Sequence, residues 1–344
     1  MTVLLNTLYV TTPDAYLKLE GETICVMIEK EKKSQIPLHH LCSLVLVGDV
    51  MLSPALMGRC MEDGRSIVWL HRNGQFRARV EGPVSGNILL RQSQYRAADD
   101  SGKIKDLAAA FLAGKLRNSR NVILRGARDT ENEDDKAILT QNAQLVLRHL
   151  HKLSSSPDLD SLRGEEGNSA RIYFQSLQYL VKPVFRSVFH FDTRTRRPPQ
   201  DAFNALLSFL YAILLHDCRS ALESVGLDPQ LGFLHVSRPG RPALALDLLE
   251  EFRSVIADRL VLTLINRGQI QAARFTTCVG GAVLLDDEGR RSVILAYQKR
   301  KQEVVQHRLI DKPVPIGLLP HIQARMLARY LRGDAPVYVP YLHR

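Results

Sequence analysis

In the stretch 231–253, LGFLHVSRPGRPALALDLLEEFR, a histidine interrupts an apolar run and carboxylates follow at helical spacing. His235 stands between Phe233-Leu234 and Val236, and Pro239, Gly240 and Pro242 then break the chain ahead of a helix carrying Asp247, Glu250 and Glu251. Imidazole and carboxylate together can hold a divalent cation or move a proton. Asp247 and Glu250, three apart, share one helix face, with Leu249, Phe252, Ile256 and Leu260 opposite. Val261 and Ile265 continue the carboxylate side, so that side is not simply solvent. Glu251 turns away from Glu250 by about 100°. Taken singly, a histidine in this setting is more often a core residue with its hydrogen bonds satisfied than a ligand.

A further carboxylate, Glu166, opens a helical pattern in which Ala170, Tyr173, Leu177 and Leu180 fall on its own face. Placing a carboxylate at the head of an apolar stripe is costly unless it is paired or bound to a metal. The alternative is a first-turn glutamate favoured by the helix dipole, with Glu165 beside it in solvent. In DAFNALLSFLYAILLHDC, Asp201 is the expected N-cap after Pro198-Pro199. Asn204, Ser208 and Tyr211 form a polar stripe on an otherwise apolar helix, which reads as inward-facing and hydrogen-bonded. Glu166, His235 and a carboxylate of the DLLEE segment make a nitrogen and oxygen donor set without thiolate, which suits Mg²⁺ or Mn²⁺ better than structural zinc.

Basic residues flank these elements: Arg194, Arg196 and Arg197 in RTRRPP, Arg238 and Arg241 beside His235, and Lys299, Arg300 and Lys301 in QKRKQE. Guanidinium forks suit phosphate. The whole chain carries 46 Lys+Arg against 36 Asp+Glu, a formal charge of +10, which favours a polyanionic partner and nucleic acid first. Any one cluster can also be an ordinary solvated face.

The elements that must position these groups fall into two parts. A chain of 344 residues has room for two domains. Residues 1–82 read as a mainly β domain: TICVMIE (23–29) and SLVLVGD (43–49) are apolar strands, and SIVWLHRNGQFRARV alternates about Asn73-Gly74 as a hairpin does. One short helix is expected at 53–64, with Ser53 as cap and Pro54 at its first position. Residues 83–86 are the expected linker, and 87–344 a mainly helical catalytic domain, α+β overall. Its helices are expected at 87–117, 136–153, 166–182, 201–225, 243–267 and 319–332, with SSSPDLD (154–160) as a loop and a hairpin over 275–298 turning at Asp287–Gly289. The five cysteines are scattered with no CxxC pair, which excludes a zinc ribbon and suits free thiols in a reducing cytoplasm. The apolar stretch 205–215 is too short to span a bilayer, and no signal peptide is evident, so a soluble cytoplasmic protein is expected.

Five ordered stretches, NGQFRARVEGPVSGNILLRQSQYR, RGEEGNSARIYF, RRPPQDAFNALLSFLY, GFLHVSRPGRPALALDLLEEFR and YQKRKQE, closely resemble the CRISPR-associated integrase/endonuclease of spacer capture, the Cas-one family. The wording around the double proline and DLLEEFR is most similar to the type I-C branch. The resemblance implies DNA integration by transesterification in antiviral CRISPR adaptation, joining spacer 3′-hydroxyls to the repeat with one or two Mg²⁺ or Mn²⁺ ions. It implies double-stranded DNA as partner, both spacer precursor and repeat. It also implies a homodimer, and two such dimers joined by a small ferredoxin-like subunit. Glu166 and His235 fall on the family's metal-binding glutamate and histidine, and Asn204 on the asparagine of its Pro-Pro motif, expected here among the catalytic residues. The third ligand, an aspartate in many relatives, falls on Glu250, with Asp247 the alternative one turn earlier. Tyr9 or Tyr16 is the candidate for splaying duplex ends. A stand-alone metal-dependent nuclease and a non-catalytic DNA scaffold are the rival readings.

Overall fold

The computed structural model describes residues 7–72, 76–80, 82 and 88–343. The chain divides into two compact units, one taking residues up to 85 together with 286–302, the other taking 86–285 and 303–344. The Asn73-Gly74 turn and the 83–86 linker lie outside the described residues.

The first unit holds two four-stranded sheets, ordered β1-β5-β7-β8 and β4-β3-β2-β6. The strands are β1 (Thr7–Val10), β2 (Tyr16–Glu20), β3 (Thr23–Ile28), β4 (Glu31–Pro37), β5 (Ser43–Val47), β6 (Met51–Leu52), β7 (Ser66–Leu70) and β8 (Phe76–Val80). β5 pairs in parallel with β1 and β7 and is buried at every position, as befits a continuous Leu/Val run at the centre of a sheet. Helix α1 (Pro54–Glu62) is capped by Ser53, whose Oγ accepts from Leu56 N at 3.2 Å, with Pro54 at the first helical position. Leu17, Ile24, Leu44, Leu46, Leu56, Cys60 and Ile67 form the core of this unit.

The second unit is mainly helical: α2 (Ile88–Ala98), α3 (Ser101–Asp129), α4 (Glu133–Lys152), α5 (Leu159–Leu180), α6 (Pro183–Arg186), α7 (Ala202–Ser224), α8 (Ala243–Glu250) and α9 (Arg259–Asn266). Two short hairpins, β9/β10 (Phe275–Thr277 with Val283–Leu285) and β11/β12 (Val304–His307 with Lys312–Pro315), flank α10 (Asp287–Gln302) in sequence, and α11 (Leu319–Arg332) follows. The chain is therefore α+β, with its β-rich part first.

Four expectations are corrected, three of them by aspartate side chains that cap helices. The 87–117 segment is two helices, because Asp100 Oδ1 accepts from Gly102 N (2.9 Å) and Lys103 N (3.1 Å) and starts α3 afresh. Asp158 Oδ1 accepts from Ser161 N at 2.8 Å, so α5 begins at Leu159 and Glu166 lies two turns inside it, beyond the dipole of the first turn. The DLLEEFR helix does not run unbroken to 267: a π-helical turn at Arg253–Asp258 separates α8 from α9. The hairpin near 275–298 turns at Gly280-Gly281, both at positive φ, while Asp286 Oδ1 accepts from Gly289 N at 2.6 Å and starts α10. Asp-Glu-Gly there is a helix start, not a strand turn.

Helix α7 is, by length and composition, long and apolar enough to cross a membrane, which corrects the expectation from the 205–215 stretch alone. Most of it is buried within the unit, where Phe203, Leu206, Leu210, Ile213 and Leu214 form core. On the far side of α8 the C-terminal residues are tied down by Glu251. Its carboxylate accepts from the Tyr338 hydroxyl, from Gln323 Nε2 at 3.1 Å and from Tyr341 N at 2.6 Å. Asn118 of α3 joins the same two segments, donating to Glu251 O and Tyr341 O at 2.8 Å each.

Burial pushes the Glu251 carboxyl from 4.5 up to about 8, against the pull of its three donors. The folded protein then keeps a proton that the unfolded chain releases above about 4.5, so this contribution is fully present below that pH and is lost as pH rises through 8. Urea unfolding between pH 5 and 8 should show stability declining with pH, and Glu251→Gln should flatten the decline. An unchanged slope in the variant would assign the decline to another group.

Candidate active site

Glu166 and Glu250 project from α5 and α8 toward one ammonium, that of Lys115 on α3. Lys115 Nζ donates to Glu166 Oε1 and lies 2.8 Å from Glu250 Oε2. The second contact is an ion pair without hydrogen-bond geometry, which leaves Glu250 Oε2 buried and with no hydrogen-bond partner. The other oxygen of Glu250 accepts from Arg253 at 2.8 Å. Burial by itself would raise the Glu250 carboxyl, but above all the charges of Arg253 and Lys115 outweigh it and hold the group well below the usual carboxylate range. Glu250 is thus buried and ionised.

His235 is held by the other carboxylate of this helix. Asp247 is fully buried, and its Oδ2 accepts from Phe233 N (2.6 Å) and Leu234 N (3.0 Å). Its Oδ1 accepts from His235 N (2.9 Å) and faces His235 Nδ1 at 2.7 Å. A carboxylate opposite Nδ1 places the ring proton there and leaves Nε2 as the nitrogen with a lone pair. Asp247 has no oxygen to spare and is hidden behind the imidazole. Arg163, one turn before Glu166, donates to Leu234 O from Nε (3.2 Å) and from Nη2 (2.9 Å), which fixes the His235 segment against α5.

A buried polar layer supports Glu250. The Arg253 guanidinium lies over the Tyr211 ring at 4.4 Å and over Phe174 at 5.9 Å. Asp258, at the end of the π-helical turn, accepts from Tyr173 OH (2.7 Å) and Tyr211 OH (2.6 Å). Burial raises the Asp258 carboxyl in spite of those donors and Arg253. π-Helical turns recur where side chains several residues apart must face one site.

Among the described residues, no three His, Cys, Asp or Glu side chains stand close enough together to hold a metal ion as they are. The donor set still fits one. Two carboxylates surround a cation, one of them with a buried oxygen that accepts no hydrogen bond, and Asp247 fixes which nitrogen of His235 keeps its lone pair. Lys115 is the cation between them.

Several expected roles change. Asn204 is fully buried with every polar group used. Its Nδ2 donates to Thr193 O (2.8 Å) and Asp201 Oδ2 (2.6 Å), and its Oδ1 accepts from Arg194 (2.8 Å) and Thr195 N (3.1 Å). It therefore cannot touch a substrate and instead holds the loop ahead of α7. Arg194, expected on phosphate, turns inward to Asn204 and Ser208 (2.9 Å) and over Tyr211, and burial lowers its guanidinium to about 10. The Asn204, Ser208 and Tyr211 stripe is inward-facing and hydrogen-bonded, as its composition implied. Arg196, Arg197 and Arg238 are exposed, and Arg241 is half-buried. In the other unit Lys299 is exposed and Arg300 half-buried, whereas Lys301 is buried against the Tyr297 ring and is no phosphate contact. Glu165, expected in solvent, meets His149 Nδ1 at 2.5 Å. Tyr9 is half-buried in β1, and Tyr16 lies at 36% exposure in β2.

Lys115, Arg253 and Asp258 went unnoticed in the sequence. A signal existed for the first. Phe111, Lys115, Asn118 and Val122 recur at helical spacing, so a lysine sits on the apolar stripe of α3.

The sequence family described as CRISPR associated protein Cas1 matches residues 8–299. CRISPR-associated endonuclease Cas1 1 of Moorella thermoacetica is 55% identical over 344 residues, covering 100% of both chains. Its namesake in Chlorobaculum tepidum is 47% identical over 99% of both. A Cas1 protein from Thermotoga maritima superposes with a TM-score of 0.83 at 23% identity, covering 98% of this chain and 100% of that one. A casposase bound to integration product does so at 0.82 and 22%, covering 97% and 92%. The structural likeness, at these identities, is one of fold: a β-rich part followed by a helical one. The sequence matches say more, and the chain belongs to the Cas1 family.

Gly232 lets the His235 segment approach α8. A Cβ there would fall 2.7 Å from the carbonyl carbon of Ala243 and 2.8 Å from Asp247 Oδ2, and the backbone atom has no freedom to yield. Gly232→Ala should destabilise the protein by about 1–3 kcal/mol in urea unfolding. Gly164→Ala, where an added Cβ meets nothing within 4 Å, is the control and should be neutral or stabilising. Equal effects at both positions would contradict the close approach.

Proposed function

We propose that this member of a DNA endonuclease/integrase family of CRISPR adaptation joins DNA 3′-hydroxyls to a repeat by transesterification, at a site built from Glu166, His235 and Glu250. The observation that carries the reading is the pair of carboxylates from two helices around one cation, beside an imidazole whose outer nitrogen is left open. A Mg²⁺ or Mn²⁺ ion held by these three residues would supply positive charge for the attacking hydroxyl and for the phosphate under attack. Asp247 fixes the imidazole tautomer and its orientation, as outer carboxylates behind ligating histidines do. Arg253 keeps Glu250 ionised and in place. Arg163 sets the distance between the helix of Glu166 and the segment of His235. With Asp247 enclosed on all sides, Glu250 is the better third ligand.

Arg196, Arg197 and Arg238, exposed near the ends of the loops that lead into the site's helices, suit sequence-independent phosphate contact. A casposase and complexes that combine Cas1 with Cas2 share the fold. This supports DNA and a second CRISPR-associated subunit as partners. The finer expectations of a homodimer, a ferredoxin-like partner, the type I-C branch and a cytoplasmic place of work belong to the same proposal.

Two experiments test it. Glu166→Ala, His235→Ala and Glu250→Gln should each nearly abolish Mn²⁺-dependent strand joining, while duplex binding in EDTA persists. Asp247→Asn should retain more, with a loss of about 10–100-fold. Full activity of Glu166→Ala and Glu250→Gln would overturn the site, and cleavage without any joining would favour a stand-alone nuclease. Inactivity of wild-type protein with every metal would favour a scaffold.

The second experiment concerns the basic surface. With Arg194 turned inward, the double variant Arg196→Ala/Arg197→Ala should reduce the slope of log K against log salt by roughly 2 units, with affinity falling evenly across sequences. An unchanged slope would make the two arginines a solvated face.

A further inference from the structure

We propose that Lys115 is the resident cation of the active site: its ammonium holds Glu166 and Glu250 together in the metal-free protein and must be displaced when a divalent ion binds. The inference rests on the reading of Glu166, His235 and Glu250 as ligands, and it concerns what that reading requires of a fourth residue.

Lys115 is only 9% exposed and points from α3 into the gap between α5 and α8. Charge gives the first argument. Two carboxylates, Glu166 and Glu250, are matched by two cations, Lys115 and Arg253, in one connected set of ion pairs. Adding a divalent ion without losing a cation would place two more positive charges beside Lys115 and Arg253, next to the buried Glu250, which is unfavourable. Space gives the second. Nζ is within bonding distance of one oxygen from each carboxylate, and a metal ion needs those same oxygens.

Between the two cations, Lys115 is the one free to leave. Arg253 is fixed by Glu250 and by stacking on Tyr211 and Phe174, whereas a lysine is a point charge on a flexible stem. A cavity of about 20 Å³, lined by Lys115, Tyr173, Tyr211, Arg253 and Asp258 among others, adjoins it. That volume is enough for one water-sized group. The departure also explains why the ligands stand apart here, since their present spacing is set by an ammonium.

A site occupied by its own side chain shows a weakened apparent affinity, in proportion to the fraction of molecules left open. If the ammonium fills the site in about nine molecules of ten, removing it tightens metal binding by about tenfold. Calorimetric titration of MnCl₂ into wild-type, Lys115→Met and Lys115→Gln proteins should show both variants binding at least about tenfold more tightly. The variants should also lose thermal stability in EDTA and recover it in Mn²⁺. In wild-type protein labelled with ¹⁵N at lysine Nζ, saturating Mg²⁺ should shift one ammonium resonance. Variants that bind Mn²⁺ no more tightly than a wild type that does bind it would overturn the role of Lys115 and leave the ligand set standing. No binding by any of the three proteins would overturn the ligand set and Lys115 together. Should neither variant fold even with Mn²⁺, the resonance decides, and its failure to move would overturn the proposal.

Discussion

Two carboxylates brought together from separate helices, one of them buried and the other partly exposed, repel each other unless a cation stands between them. Glu166 and Glu250 stand in that relation, and much of the helical unit can be understood as the means of holding them so. The long α3 brings Lys115 to them, and the π-helical turn after α8 brings Arg253 to Glu250 and Asp258 to Tyr173 and Tyr211. Removing one partner from such a buried set is far more disruptive than the modest net stability of the set would suggest, because the remaining charge is left unpaired. The site is therefore both the functional centre and a place where the fold has little tolerance.

The division of labour within DLLEE follows from the same constraint. Asp247, Glu250 and Glu251 are all buried carboxylates on one short helix, yet each faces a different environment. Asp247 accepts four hydrogen bonds from the His235 segment and is spent on positioning it. Glu250 faces cations and stays ionised, whereas Glu251 faces Tyr338, Gln323 and the backbone of Tyr341 and anchors the C-terminal residues. A helical step of about 100° separates a site residue from a structural one.

Much of this was legible in the sequence, and the failures have physical causes. Apolar periodicity located the strands at 23–28 and 43–47 and the helix at 319–332, because those segments bury one face against a core. Boundaries went wrong at aspartates: Asp100 was read inside one helix, Asp158 in a loop and Asp286 in a hairpin, yet each starts a helix with its side chain, which composition alone does not reveal. Of the candidate site, Glu166 and Glu250 meet at Lys115 and His235 is held by Asp247, but among the described residues no three such side chains stand close enough together to hold a metal ion as they are. The choice between Asp247 and Glu250 stayed open because both share a face, and only the hydrogen bonds separate them. Arg194, Asn204 and Lys301 were misjudged because residue type says nothing of direction: each turns inward, Arg194 and Asn204 to each other and Lys301 to Tyr297 one turn earlier. Lys115 was missed for the opposite reason, since a single lysine in a long helix is usually at the surface.

Crystals soaked in Mn²⁺ and measured at the manganese absorption edge offer the most direct test of the site. An anomalous peak bounded by Glu166, the outer nitrogen of His235 and Glu250, with the Lys115 side chain moved from its present position, is the expected result. A peak on Asp247, or a fully occupied metal beside an unmoved Lys115 ammonium, would contradict it.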